Sequence, residues 1–318
     1  APLIGNATQW AQFGLGMDMD STFGVGLWLG SPAPCREGNT AGKRVPPWAP
    51  RHKFGVISIG SSCMVLGGAS PGQSFTNEVW RWDPKGGSAS TGSPMGAWKL
   101  ASPHVEPRIP PHGNGTWVFK KWEARTNLAV TGGMDRSGRS VCYVIGGIGP
   151  RCTLGDVWAS DTGGQKWLCT SSRAPFGPRC DASLVIVPGC PLEPVLCGGI
   201  DAQGNFCSGD IWVGAEAGAR WECVQTSWAP CTLPSLCILG NGRILMFGGK
   251  EADGSGGLAP TSECWELNPD GTCESVAELD FHPRHVVLVG GSEVVALDES
   301  SALWTASPDG LDGSVADW

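Results

Sequence analysis

The sequence is poor in tyrosine, in charged residues and in long apolar runs. Tyr143 is the single tyrosine among 318 residues, and charged residues make up 16% of the chain. No stretch approaches the run of about 18 apolar residues that a membrane-spanning helix needs. The formal net charge of −8 argues against a phosphate-backbone partner, which usually requires a basic surface. We therefore expect neither a membrane span nor a nucleic-acid partner.

Signature sequences of common catalytic sites are also missing. The chain has no Gly-x-Ser-x-Gly elbow, no phosphate-binding loop, no His-Glu-x-x-His motif and no Cys-x-x-Cys pair. The turn at Ser160–Trp167 is similar to the Asp-box of sialidase propellers, but Thr162 stands where the box needs aspartate. Tyr143 lies in an apolar run, which argues against its use as a sialidase nucleophile. These observations predict no enzyme activity, no cofactor and no bound metal.

What the chain does have is tryptophan and a repeat. Six of its 16 tryptophans follow one another at steps of 52, 78, 54, 53 and 39 residues: Trp28, Trp80, Trp158, Trp212, Trp265 and Trp304. An acidic residue stands two positions before each of the four central ones: Glu78, Asp156, Asp210 and Glu263. A glycine pair ends the apolar run before each: Gly67–Gly68, Gly146–Gly147, Gly198–Gly199 and Gly248–Gly249. Both markers give a period near 50, which predicts six copies of one unit.

Each unit offers four short apolar runs between glycine and proline breaks, and such runs are typical of strands. Examples are Val141–Ile145, Ala182–Val187, Asp210–Val213 and Trp221–Gln225. Four strands in a period near 50 predict a β-propeller. The glycine pair, the acidic-x-Trp strand and the second tryptophan resemble kelch repeats. This resemblance implies an all-β, six-bladed kelch-like propeller of four-stranded antiparallel blades. Residues 1–318 would form one domain whose ring is closed by N- and C-terminal strands.

The step of 78 between Trp80 and Trp158 leaves a surplus at about 84–122. We interpret it as two loop insertions, with a disguised seventh blade as the alternative, because it contains no glycine pair and no acidic-x-Trp. Aromatic and basic residues alternate near its end, and such residues often anchor interfaces. The candidate partner surface consists of Trp117, Phe119, Lys120, Lys121 and Trp122. The alternative is an ordinary hairpin packed on its own blade.

The 14 cysteines include two pairs at repeat-equivalent positions. Cys152 and Cys207 precede the acidic-x-Trp strand, while Cys180 and Cys231 follow the proline that closes a repeat. In a propeller these loops share one face, which predicts the disulfides Cys152–Cys180 and Cys207–Cys231. Such bonds would place the protein in an oxidising compartment: extracellular, cell-surface or lumenal. Two glycosylation sequons, compatible with that location, begin at Asn6 and Asn114.

A proline–arginine pair closes several units, as at Pro50–Arg51, Pro178–Arg179 and Pro283–Arg284. In this alignment His52 and His285 occupy one position, and a metal-dependent enzyme using both is the weakest hypothesis. We interpret the four repeated acids as scaffold groups that bond backbone donors in neighbouring turns. The favoured function is a non-catalytic protein-binding or scaffolding subunit of a larger extracellular or lumenal assembly. The alternative is an extracellular propeller that binds or processes carbohydrate through exposed tryptophans.

Overall fold

The structure is a computed structural model in which the chain is almost entirely β-strand. The described residues are 16–17, 27–28, 47–59, 62–72, 74–83, 97–106, 121–134, 139–187, 193–207, 209–225, 232–239, 243–255, 257–267, 272–289, 293–300 and 302–306. Within these ranges the one short helical element is a 3-10 turn at Glu216–Gly218. No helix in this part of the chain is long and apolar enough to cross a bilayer.

The strands fall into sheets in chain order. A two-stranded ribbon comes first: β1 (Gly16–Met17) and β2 (Leu27–Trp28). Blade 1 follows, with a small hairpin inside it: β3 (Gly55–Ile59), β4 (Ser62–Leu66), β5 (Ala69–Ser70), β6 (Ser74–Phe75), β7 (Val79–Asp83) and β8 (Ala97–Ser102). Blade 2 is a plain four-stranded sheet: β9 (Ala129–Met134), β10 (Ser140–Ile145), β11 (Val157–Ser160) and β12 (Leu168–Ser171).

Blades 3 and 4 again carry a small extra sheet each. Blade 3 is built from β13 (Arg179–Cys180), β14 (Ser183–Val187), β15 (Glu193–Cys197), β16 (Ile200–Asp201), β17 (Asp210–Ala215) and β18 (Arg220–Gln225). Blade 4 is built from β19 (Ser235–Ile238), β20 (Ile244–Phe247), β21 (Lys250–Ala252), β22 (Leu258–Pro260), β23 (Glu263–Leu267) and β24 (Cys273–Glu278). Blade 5 has three described strands: β25 (Pro283–Val289), β26 (Glu293–Asp298) and β27 (Leu303–Ala306).

Each blade is an antiparallel meander whose first strand lies at one edge of the sheet. These inner strands are neighbours from blade to blade, in the order β3, β9, β14, β19 and β25. Sheets that share one central axis in this way form a β-propeller, and five blades are seen in the described ranges. The prediction of short strands around glycine and proline breaks is confirmed.

Side chains along the inner strands are alternately buried and exposed because one face of each blade packs against a neighbour. In β3 the side chains of Gly55–Ile59 are alternately buried and exposed, and Ile57 and Ile59 pack into the core shared with blade 2. That core also holds Trp122, Trp158 and Trp167, with the rings of Trp122 and Trp167 meeting edge to face at 5.9 Å. Burying one tryptophan removes about 150–250 Å² from water. These tryptophans therefore bridge blades 1 and 2.

The repeated arginine, acid and tryptophan form one bonded group in three blades. In blade 2 the guanidinium of Arg125 donates to both carboxylate oxygens of Asp156, at 2.6 and 2.8 Å, and to the carbonyl of Gly146. The indole of Trp158 donates to the same carboxylate at 2.7 Å. Equivalent groups are Arg51–Glu78–Trp80 in blade 1 and Arg179–Asp210–Trp212 in blade 3. The acids are scaffold groups, but arginine and indole donors hold them instead of the backbone donors we expected.

The glycine pairs lie where one blade touches the next. Gly146 and Gly147 have φ of 55° and 96°, a region that favours glycine. The amide of Gly147 donates to the carbonyl of Arg179 in blade 3 at 2.8 Å. A Cβ on Gly147 would lie 2.6 Å from the carbonyl oxygen of Thr126. The pair is therefore required both by backbone conformation and by the close approach of two chains.

Blade 5 departs from this pattern in a coordinated way. The register pairs His285 with Leu297, as Gly55 pairs with Leu66 in blade 1. The ring of Phe281 stacks on Trp304 at 4.4 Å, as Phe176 packs on Trp212 in blade 3, and each phenylalanine lies three residues before an arginine. The Trp304 indole donates to Asp298 at 2.8 Å. Arg284 therefore keeps the place of the repeat arginine, and the stretch between it and the inner strand is three residues shorter than the one between Arg51 and Gly55.

The surplus segment at about 84–122 contributes a strand to blade 1. β8 pairs with β7 along its length, for example Trp98 with Trp82. Residues 84–96 and 107–120 lie outside the described ranges. The described part of the segment thus supplies the outer strand of an existing blade.

Breaking one bonded group should destabilise the fold strongly. Arg125 is fully buried, and burial alone would raise the pKa of Asp156, but Arg125 and the Trp158 indole outweigh it and lower that pKa. We expect Arg125→Met to lower the free energy of unfolding in urea by about 3–5 kcal/mol, because a buried carboxylate loses its partner.

The matched control is Arg220→Met. Arg220 pairs with Glu216 at 3.3 Å, and both side chains are more than half exposed, so the loss should stay below about 1 kcal/mol. Similar losses for the two variants would show that the buried group is not a main support of the blades.

The central channel as candidate functional site

The inner strands surround a cavity of about 460 Å³. All five of them line it with their first residues: Gly55 and Val56, Ala129 and Val130, Ser183 and Leu184, Ser235 and Leu236, and Arg284 and His285. This volume is within the usual range of about 300–1,000 Å³ for small-molecule sites. Within the described strands, one edge of each inner strand has no strand partner, so its backbone donors and acceptors lie near the channel.

A chain of backbone bonds runs around this end of the channel. Lys53, Asn127, Asp181 and Leu233 each have a positive φ of 52° to 54°, which is uncommon outside glycine. The amide of Asn127 donates to Lys53 at 3.1 Å, that of Asp181 to Asn127 at 3.2 Å, and that of Leu233 to Asp181 at 3.0 Å. Blades 1 to 4 are therefore joined directly beside the cavity.

The Asn127–Asp181 pair adds a side-chain bond to this chain. The amide nitrogen of Asn127 donates to Asp181 Oδ1 at 2.6 Å, and the Cys180 thiol donates to Asp181 Oδ2 at 3.7 Å. Burial raises the pKa of Asp181, although Asn127 and the charge of Lys53 oppose that shift. Because these side chains already bond one another, we assign them to the support of the channel.

Small residues occupy one register position in four inner strands. Gly55, Ala129, Ser183 and Ser235 each pair with the last residue of the neighbouring strand, and in blade 5 His285 pairs with Leu297, the residue before the last. The preceding position is apolar in the first four blades and is Arg284 in blade 5: Phe54, Leu128, Ala182 and Pro234 are the apolar four. Blade 5 alone among the described blades places two polar, basic side chains here.

The charged groups of the cavity are concentrated on one wall. Lys250, Arg284, His285 and Glu299 are the four ionisable residues in the described lining. Lys250 Nζ lies 3.5 Å from Glu299 Oε1. Desolvation by the surrounding protein lowers the pKa of His285 to about 4, with a smaller contribution from the positive charge of Arg284, although part of the residue is accessible to solvent. The imidazole is therefore neutral at pH 7, and the wall carries one net positive charge in an acidic protein.

Two residues of the predicted partner surface are buried. Trp122 is fully buried and Lys121 is 5% exposed, with Lys121 Nζ donating to the carbonyls of Ser102 and Pro103. Burial lowers the pKa of Lys121 to about 7, which the charge of Glu78 opposes. Both side chains therefore act in packing between blades 1 and 2.

Several other predicted site residues lie outside the described ranges. They are Trp117, Phe119, Lys120, Cys231 and the sequon residues Asn6 and Asn114. The place of the first three in a partner surface, and glycosylation at the last two, stay predictions.

Among the described residues no disulfide is seen. Cys152, Cys180 and Cys207 are free thiols, so the predicted bond between Cys152 and Cys180 is not found. Cys231 lies outside the described ranges, and its pairing with Cys207 stays a prediction. Cys152 is exposed in a turn where its carbonyl accepts from the Gly149 amide at 2.9 Å. Cys180 is buried in β13, where burial and Asp181 raise its pKa to about 12. Cys152 and Cys180 lie on the same face of the propeller, but no disulfide joins them.

The proposed equivalence of His52 and His285 is also wrong. By strand register His285 corresponds to Gly55, which lies three residues after His52. The structure brings no group of three or more histidine, cysteine or acidic side chains into metal-binding proximity among the described residues. Burial also raises the pKa of the core thiols, for example of Cys142 and Cys264 to about 12, which disfavours the reactive thiolate.

Comparison with known proteins adds no family assignment. Neither a protein-family model nor any curated protein matches this chain. The β-propeller is therefore established by the strand pairing alone, and the site must be judged by its own chemistry.

Thiol reactivity should separate the exposed cysteine from the core cysteines. We expect iodoacetamide to alkylate Cys152 in the native, unreduced protein at neutral pH, and to leave Cys142 and Cys264 unmodified until unfolding. Peptide mapping by mass spectrometry measures all three. If Cys152 reacted only after reduction, it would be held in a disulfide and the free thiol would be refuted.

Proposed function

We propose that this propeller is a non-catalytic module that holds a protein partner on the face where the blades connect. Propellers commonly mediate protein binding, which supports the proposal at the level of the fold. The observation that carries it is a small two-stranded sheet at the connection between the second and third strands of blades 1, 3 and 4. In blades 1 and 4 this sheet is a hairpin, β5–β6 and β21–β22, and in blade 3 β16 pairs with β13, which precedes the first strand of the main sheet.

The hairpin tips are exposed and internally braced. In blade 3 the carboxylate of Asp201 accepts from the amides of Gln203 and Asn205, both at 2.8 Å. In blade 4 Asp253 accepts from the amides of Ser255 and Gly257, at 2.8 and 2.9 Å. A loop that is ordered before binding loses less conformational entropy when a partner docks. The tips of blades 3 and 4 are therefore preorganised for a partner.

The proposal predicts that a bulky charge at a tip displaces the partner. Gln203 is exposed, and its side chain is not needed for the turn, so Gln203→Arg should preserve the fold and reduce the partner recovered by co-purification severalfold. Gln165→Arg is the matched control, because Gln165 is exposed in the β11–β12 turn on the opposite face. Equal recovery with both variants would contradict docking on the hairpin face.

We also propose that the ring has six kelch-like blades and that the sixth lies between blades 5 and 1. The support is the register of β1 and β2, where Gly16 pairs with Trp28 as Val144 pairs with Trp158 in blade 2. Apolar side chains are exposed on the free sides of the flanking blades: Val56 and Leu100 in blade 1, at 45% and 44%, and Leu303 in blade 5, at 59%. A further blade would remove these side chains from water.

A serine substitution tests this closure. If a sixth blade covers Leu303, Leu303→Ser should lower the free energy of unfolding in urea by about 1.5–3 kcal/mol. Leu168→Ser is the control, because Leu168 is 68% exposed on the outer strand of blade 2 and should change stability by less than about 0.5 kcal/mol. Equally small effects for both would mean that Leu303 is exposed to water and would refute this closure.

Two earlier expectations remain predictions. One is carbohydrate binding by exposed tryptophans, although in blade 1 the ring of Trp48 packs against Trp80 and Trp98 at 5.4 and 4.6 Å. The other is the extracellular or lumenal location, which loses the support of the bond predicted between Cys152 and Cys180.

A further inference from the structure

The segment that follows the outer strand of blade 1 is held by hydrogen bonds more than by apolar packing. Residues 102–106, here called the strap, begin at the end of β8 and lie beside Asn77. The buried side chain of Asn77 accepts from the Val105 amide at 2.9 Å and donates to the Val105 carbonyl at 2.9 Å. Pro103, Val105 and Glu106 are exposed. A segment with so little buried apolar surface opens at a low cost in free energy.

Lys121 is the second side chain that holds the strap. It is 5% exposed, and its Nζ donates to the carbonyls of Ser102 and Pro103 at 3.3 and 3.1 Å. No carboxylate of the described residues forms an ion pair with Lys121, because Glu78, whose charge acts on it, bonds Arg51 instead at 2.7 Å. An ammonium in this place has lost water without gaining a counter-charge, and such burial favours the neutral amine.

The surroundings of Lys121 offer little else to compensate a charge. The ring of Trp122 lies 5.2 Å from Nζ and attracts the charged form only weakly. The other charged or titratable side chains on the neighbouring elements have partners of their own: Glu78 with Arg51, His104 with Glu106, Glu123 with Arg151, and Arg125 with Asp156. Histidines and carboxylates ordinarily titrate below pH 7, and arginine stays charged. Above about pH 7 the charge that changes here is therefore that of Lys121.

We propose that the strap is a pH-sensitive element, closed over Lys121 while the amine is neutral and opened when the amine takes up a proton. Opening breaks the two hydrogen bonds to the Ser102 and Pro103 carbonyls and returns the ammonium to water. His104 of the strap lies against Thr76, directly after β6, so opening would loosen one edge of the β5–β6 hairpin. The inference concerns the chain by itself and requires no bound partner.

The direction of the pH effect follows from the proton that opening takes up. Burial lowers the pKa of Lys121 to about 7, whereas an exposed lysine titrates near 10.4. Between these two values the open strap binds a proton that the closed strap does not. The closed strap therefore becomes more stable as the pH rises through this window, and the open population should fall about tenfold for each pH unit. Below about pH 7 both forms are protonated and the effect levels off.

Hydrogen exchange of the Val105 amide tests the proposal on the purified full chain. That amide is bonded to Asn77 while the strap is closed. We expect its protection factor, which corrects for the exchange rate of an unstructured amide, to rise about tenfold per pH unit between about pH 7.5 and 9. In Lys121→Met the titrating group is gone, so the protection factor should not change with pH.

Lys99→Met is the matched control. Lys99 lies on the strand that leads into the strap, is 62% exposed and pairs with Asp83, so this variant should keep the rise. A protection factor that stays constant in the unaltered protein, or an undiminished rise in Lys121→Met, would overturn the proposal. Loss of the rise in Lys99→Met as well would refute it too, since the effect would then belong to surface charge in general.

A second measurement covers the case in which Lys121→Met does not fold. In the unaltered protein the Asn205 amide, held by Asp201 in an exposed turn of blade 3, serves as the internal reference. The protection factor of Val105 should rise relative to that of Asn205 over the same pH window. A constant ratio of the two would refute the proposal.

Discussion

The contact between one blade and the next is the constraint on which the rest of this structure depends. At the junction of blades 2 and 3, the carbonyl of Arg179 accepts the amide of Gly147 while the arginine side chain holds its own blade through Asp210. Arg179 thus supports its own blade through its guanidinium, and its backbone carbonyl accepts a hydrogen bond from the preceding blade. Because a propeller blade has little core of its own, such junctions must repeat around the ring.

The same constraint explains why most repeated residues are structural. The acid, the tryptophan and the glycine pair recur because each blade must make the same contacts, and not because a reaction needs them. Functional residues should then be found where the repeat is broken. Blade 5 is the clearest case, since Asp298 holds the Trp304 indole there, and Arg284 and His285 line the cavity.

The corrections have a common physical reason. Sequence alignment placed Cys152 near Cys180, and His52 level with His285, by assuming that equal motifs have equal positions. A bulge in the pairing of β25 with β26 shifts the register in blade 5, and a short turn directs Cys152 outward. Neither event leaves a mark in residue spacing. Burial of Lys121 and Trp122 was missed for a related reason, since alternation alone does not show which blade covers a strand.

The sequence by itself determined that this chain is a propeller of short antiparallel strands, because glycine pairs, tryptophans and acids recur at one period and each has a local physical role. It also marked Asp156 as a repeat residue, although its ion pair with Arg125 was not foreseen. Only the tertiary structure decided which side chains meet at the channel wall, since Lys250, Arg284 and Glu299 come from different strands and turns. Proximity around a closed ring depends on strand register, and register is fixed by pairing between blades and within them.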